Sequence, residues 1–148
     1  MRGGSRAEHP LPNPKGLGRH LVVELCGCDS DILRDSNFIL DVLTEAAHSS
    51  GAEVVGRYSE RFGGGGGVSA IVVIKESHIS IHTWPELGYA SLDIFTCGEH
   101  VNPWKAYGLI IEKLKPTGVG AIEIIRGLNV SLNMSVNLQV QAGKRRGG

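Results

Sequence analysis

Between residues 52 and 95 strand character returns in run after run, at 52–58, 68–74, 79–83 and 89–95, and no helical period interrupts it. Strands that follow one another this closely belong to one sheet, which leaves the helices to cover it. Residues 20–25 read as a buried strand ahead of this block and residues 119–125 as the last one. From Asn37 to Ser50, Ile39, Leu40, Leu43, Ala46 and Ala47 recur at three- and four-residue spacing. Asp35 or Ser36 caps that helix and Gly51 closes it; residues 29–35 are an acidic connection leading in. Asn102 caps a second helix with Pro103 at its first position and Trp104, Tyr107, Ile111 and Leu114 on its buried face. The order strand, helix, several strands, helix, strand predicts an α+β two-layer sandwich: a mainly antiparallel sheet with two helices on one face.

A chain of 148 residues fits one domain. Residues 1–15, rich in Gly, Pro, Arg and Ser and without period, read as a disordered tail, and 16–127 as the folded domain. In the extension 128–148, Val130, Leu132, Met134, Val136, Leu138 and Val140 alternate weakly ahead of Lys144-Arg145-Arg146, which fits an edge strand or a disordered tail equally. Basic and acidic residues balance at 15 each, so no net field draws nucleic acid or an anionic membrane. No apolar run is long enough to span a bilayer and the N-terminus lacks a signal-peptide layout, so a cytoplasmic protein is expected. Cys26, Cys28 and Cys97 cannot all pair, and Cys26-Gly27-Cys28 lacks the spacing and further ligands of a zinc knuckle; no metal is expected. The five glycines 63–67 form a loop without the Lys-Ser/Thr of a phosphate-binding loop, and they read as a mobile segment near a site.

Chemistry-bearing residues crowd the segment from Glu76 to Cys97. Glu76, Ser77, His82, Glu86 and Cys97 bring a nucleophile, a base, a thiol and two carboxylates together, a set suited to attack of a hydroxyl on a carbonyl with imidazole handling protons. His78 and His82 share parity on a strand, but a metal would need a third ligand. Regular alternation puts Ser77 and His82 on opposite faces. Their direct cooperation therefore requires a bend or a chain break between them.

Leu17-Gly18-Arg19-His20-Leu21, Glu24-Leu25, Val68-Ser69, Glu76-Ser77-His78, Ile81-His82-Thr83-Trp84-Pro85-Glu86, Phe95-Thr96-Cys97-Gly98 and Pro103-Trp104-Lys105 resemble the short prokaryotic S-adenosylmethionine decarboxylases. The resemblance implies a proenzyme that cuts itself between Glu76 and Ser77. Ser77 attacks the Glu76 carbonyl, the amide becomes an ester, β-elimination leaves dehydroalanine, and hydrolysis leaves a pyruvoyl group that binds substrate as a Schiff base. It further implies His82 as the proton acceptor in processing, Ser69 as its hydrogen-bonding support and Cys97 as the proton donor in turnover. Glu86 would hold the ribose hydroxyls, and Trp84 and Phe62 the adenine or sulfonium. The product would be the aminopropyl donor for spermidine synthesis, and two protomers would pack sheet to sheet as a four-layer αββα homodimer.

This chain departs from the family pattern in its glycine run and in Glu60. An added carboxylate suits a cationic side chain, which makes an arginine or ornithine decarboxylase of the same kind the alternative enzyme. A noncatalytic, unprocessed dimerising homologue is the alternative outside enzymes.

Overall fold

The computed structural model describes residues 16–128 and 136–139. Its elements are β1 (Gly18–Cys26), α1 (Ser30–Arg34), α2 (Ser36–Ser49), β2 (Val54–Phe62), β3 (Gly67–Ile74), β4 (Ser77–Trp84), β5 (Tyr89–Cys97), α3 (Pro103–Leu114), β6 (Gly118–Arg126) and β7 (Val136–Gln139), with a 3₁₀ turn at Pro85–Leu87. The strands form one sheet in the order β2-β3-β4-β5-β1-β6-β7, and every pairing is antiparallel. This is the α+β sandwich the periodicities predict. β7 pairs with β6 at the outer edge; the tail 1–15 and the rest of the extension, 129–135 and 140–148, lie outside the described residues.

Alternation along the strands divides the sheet into two unlike faces. Leu21, Val23 and Leu25 of β1, Ile79 and Ile81 of β4, and Leu92 and Ile94 of β5 are fully buried on one side, under Ile39, Leu43, Ala46 and Ala47 of α2 and Ala106, Ile110 and Leu114 of α3. The other side carries His78, Ser80, His82 and Trp84 of β4 and Tyr89, Ser91, Asp93, Phe95 and Cys97 of β5, and no described helix covers it. An apolar layer thus fixes the sheet, and a polar and aromatic face is left free for chemistry.

Local departures from the sequence reading have physical causes. The acidic connection contains α1: the Asp29 carboxylate accepts from the N–H groups of Asp31 and Ile32, and Leu33 is fully buried. Five residues are too few to show a period. The cap of α2 is Asp35, which accepts from the Phe38 N–H at 3.0 Å. In α3 the buried positions are Pro103, Ala106, Tyr107, Ile110 and Leu114, so Trp104 and Ile111 fall half-buried at the margin. Trp104 is turned because its indole N–H donates to Glu123 of β6 at 3.2 Å. The glycine run is shorter as a loop than expected. β2 runs to Phe62 and β3 begins at Gly67, leaving a tight turn in a hairpin.

Candidate active site

β3 and β4 are joined by two residues, Lys75 and Glu76, since Ile74 pairs with Ser77 across the hairpin. The Glu76–Ser77 peptide bond is therefore the exit of a two-residue turn. Its carbonyl is held, because Glu76 O accepts from the Cys97 N–H of the neighbouring strand at 2.9 Å. The Glu76 carboxylate is held as well, by His100 Nε2 at 3.0 Å and by the Glu53 N–H at 3.2 Å. The hydrogen bond from His100, ahead of the opposing effect of burial, keeps the Glu76 carboxyl below its ordinary value.

Ser77 has a φ of 150°, a region that side-chain-bearing residues seldom occupy and that costs on the order of 1–3 kcal/mol. Its Oγ lies 3.3 Å from His78 Nδ1, and its cross-strand partner on β5 is Thr96, whose buried hydroxyl has no hydrogen-bond partner. Cys97 follows Thr96 at the end of β5, half-buried, with its thiol on the open face. Ser77, Glu76 and Cys97 thus gather at one end of the β4–β5 pair.

The other predicted residues gather at the opposite end. Ser69 and His82 are register partners, and Ser69 Oγ hydrogen-bonds His82 Nδ1 at 2.8 Å. The Phe62 ring stands edge-on to Trp84 with centroids 5.6 Å apart and lies 6.5 Å from the His82 ring, while Trp84 leans on Tyr89 at 5.3 Å. Thr83, between His82 and Trp84, points the other way: its buried hydroxyl accepts from the Val68 N–H at 2.9 Å and donates to the Leu33 carbonyl at 2.8 Å. That ties α1, β3 and β4 together directly behind the aromatic group.

Glu86 sits exposed on the 3₁₀ turn that follows. The glycine turn comes to meet it. A Cβ on Gly65 would lie 2.6 Å from Glu86 Oε2, and one on Gly67 would lie 2.6 Å from the Thr83 carbonyl and 2.8 Å from the Phe62 ring. These two glycines supply space for the site and not merely freedom. Glu60 lies across from Ser69 on the same face, but its carboxylate is taken up by the Tyr58 hydroxyl at 2.9 Å and the Arg61 N–H at 3.1 Å.

β4 is continuous from Ser77 to His82, with unbroken pairing to both neighbours. Five residues at strand rise separate the two by about 16 Å. The bend that would bring His82 to Ser77 within one chain is not there. Sequence reasoning missed His100, the Cys97 amide, Arg34 and the Tyr89–Glu24 pair. Arg34 donates to the Gly65 carbonyl at 3.3 Å. The Tyr89 hydroxyl donates to the Glu24 carboxylate, which pushes the phenol up to about 12. None of these carries a local signal, because each arises from register between strands or from a loop folding back. His78 and His82 do share the open face, yet no group of three His, Cys, Asp or Glu able to hold a metal ion occurs among the described residues.

The sequence model of the family described as S-adenosylmethionine decarboxylase matches residues 19–127. An S-adenosylmethionine decarboxylase proenzyme from Caldanaerobacter subterraneus subsp. tengcongensis is 51% identical over 112 residues, covering 76% of this chain and 90% of that protein. A protein of the same name from Pelotomaculum thermopropionicum is 48% identical over 114 residues, 77% of this chain and 90% of its own length. The crystal structure of the adenosylmethionine decarboxylase from Aquifex aeolicus VF5 superposes with a TM-score of 0.72 at 31% identity, covering 80% of this chain and 98% of that one. The match runs through both ends of the β4–β5 pair and the helices behind them, and by it the chain belongs to the S-adenosylmethionine decarboxylase family.

Proposed function

We propose that this chain is a self-processing enzyme that cuts its own Glu76–Ser77 bond, carries a pyruvoyl group in place of Ser77, and decarboxylates S-adenosylmethionine to the aminopropyl donor of spermidine synthesis. The single observation that carries this reading is the state of that bond: a serine at φ 150° directly after a carbonyl that receives a backbone N–H. Addition of Ser77 Oγ to the Glu76 carbonyl carbon puts negative charge on an oxygen that the Cys97 amide already faces. The C–N bond then breaks as the nitrogen takes a proton, leaving an ester. Loss of the Ser77 α-proton and rupture of Cβ–Oγ release Glu76 as a free carboxyl, and one water converts the remaining enamine to a ketone and ammonia. The ketone-bearing residue has no backbone nitrogen, so the strained torsion at Ser77 ceases to exist. Its ketone supplies the electron sink that loss of carbon dioxide from an α-amino acid requires.

Around it, the Cys97 thiol stands at the right end of β5 to return a proton to the substrate α-carbon. His82, supported by Ser69, is the proton acceptor of processing. Glu86 accepts from the ribose diol, and Trp84 and Phe62 take the adenine and sulfonium. Because His82, with the groups gathered at its end of the sheet, lies about 16 Å along β4 from Ser77 in one chain, the complete site is read as one formed between two copies. The open faces pack together so that the His82 end of one meets the Ser77 end of the other, as a four-layer homodimer. No helix among the described residues is long and apolar enough to cross a membrane. Three free thiols suit a reducing cytosol, where we place the protein.

Intact mass under denaturing conditions tests the reading. The wild type is expected as two fragments, 1–76 and 77–148, the second with a blocked N-terminus, and Ser77→Ala as a single chain. Carbon dioxide release is expected from S-adenosylmethionine and not from arginine or ornithine. An uncut wild-type chain, inactive on all three, would establish the noncatalytic homologue instead.

A further inference from the structure

Glu76 is one of two residues in a hairpin turn, where side chains ordinarily extend into water. Its side chain is instead only 12% exposed, while that of His100, which contacts it, is 62% exposed. Three hydrogen bonds converge on this residue from three different segments. The Cys97 N–H takes the backbone carbonyl at 2.9 Å, the Glu53 N–H takes Oε2 at 3.2 Å, and His100 Nε2 takes Oε1 at 3.0 Å. Two of these are backbone amides and are present whatever the side chains. The third depends on His100 alone.

The loop after β5 is built to deliver that imidazole. Gly98 has a φ of +86°, and a Cβ there would lie 3.0 Å from His100 Cε1 and 3.1 Å from its Nδ1, so the ring folds back over the glycine. Beyond the ring the backbone is anchored to the end of α2: the Asn102 N–H donates to the Ser50 carbonyl at 2.9 Å, Val101 is buried, and the His100 carbonyl lies 3.0 Å from the place a Gly51 Cβ would occupy. Glu53, the other group on the carboxylate, follows the same helix end. The end of β5 with the loop after it, and the residue that follows α2, neither of them part of the β3–β4 hairpin, therefore grip its turn from outside.

We infer that His100 is a positioning residue for self-cleavage, holding the Glu76 side chain so that the Glu76 carbonyl stays aligned on the Cys97 amide while Ser77 attacks. The inference rests on the self-cleavage reading above. His100 touches neither reacting atom and acts through Glu76 in two ways. It fixes the side-chain torsions of the residue that carries the attacked carbonyl, in a step where small misplacement is costly. It also offsets the carboxylate charge, which would otherwise oppose the negative charge developing on the oxygen of the same residue.

The test follows cleavage of the full chain made by cell-free synthesis, sampling intact mass with time. His100→Ala is expected to slow the appearance of fragments about tenfold, the scale of one lost charge-assisted hydrogen bond. His100→Gln, which keeps an N–H donor at that position, is expected to recover most of the rate. Thermal midpoints of uncut Ser77→Ala chains with and without His100→Ala should differ by only a few degrees, the scale of one partly exposed ion pair. Once processed, the variants should decarboxylate with unchanged kcat per pyruvoyl group. Cleavage of His100→Ala at the wild-type rate, or a His100→Gln chain as slow as His100→Ala, would overturn the inference while fragments from the wild type kept the self-cleavage reading intact. A wild type that stays uncut would overturn both.

Discussion

The carboxyl of Glu76 titrates below the ordinary 4.5, chiefly because His100 donates to it. A pKa depressed on folding contributes stability that is fully present above pH 4.5 and is lost as pH falls through the lower folded value. In a Ser77→Ala background, Glu76→Gln is thus expected to lower the urea midpoint at pH 7, by an amount that shrinks as pH is taken below 4.5. At Cys97 the two proposed roles separate by atom: the backbone N–H faces the Glu76 carbonyl, and the thiol is the proton donor proposed for turnover. Cys97→Ala keeps the amide, so fragments should form at near the wild-type rate while carbon dioxide release falls at least tenfold, a loss within the range of general acid catalysis. Turnover equal to wild type would remove the thiol from the mechanism. Ser77, His82 and Cys97 could be singled out in the sequence because their motif is local. His100 and the Glu53 and Cys97 amides were not, since a hydrogen bond across 21 or more positions of chain leaves no trace in spacing.

At the scale of elements, the glycine turn and the 3₁₀ turn at Pro85–Leu87 form one device. A methyl group on Gly65 would meet the Glu86 carboxylate at 2.6 Å, so Gly65→Ala must displace it. The expected result is a KM for S-adenosylmethionine raised several-fold with kcat and cleavage little altered; an unchanged KM would detach Glu86 from substrate. Behind the same site, Thr83→Val would leave the Val68 N–H and the Leu33 carbonyl unpaired in the core. That should cost about 2–6 kcal/mol by urea unfolding of the uncut chain, the sum of two buried groups left unsatisfied. The six strands and two longer helices of the domain were readable from period alone. α1 escaped because a single turn has no period, and the inner face of α3 was misplaced by one position because Trp104 answers to a carboxylate on β6. For the glycines, sequence offered freedom of the backbone as the reason; their neighbours in space supply a second one.

Across the whole molecule, the separation of Ser77 from His82 along a straight strand has a consequence that one variant alone cannot reveal. Ser77→Ala and His82→Ala are each expected to remain uncut when made alone. Co-expressed, they should form mixed dimers in which the intact Ser77 of one chain faces the intact His82 of the other, and fragments should reappear from the His82→Ala chain only. Complete absence of fragments in the mixture, with mixed dimers demonstrated by mass, would return the whole site to a single protomer.

The strand order carries one more implication. After a cut between β3 and β4, the first fragment owns β1, β2 and β3, and the second owns β4 to β7. β1 nevertheless lies between β5 and β6, paired with both along its length. The two pieces are thus interleaved like the fingers of clasped hands, and neither can leave without unzipping a central ladder on both sides. The mature protein should migrate as one particle under native conditions and refold, once denatured, with a rate that depends on fragment concentration.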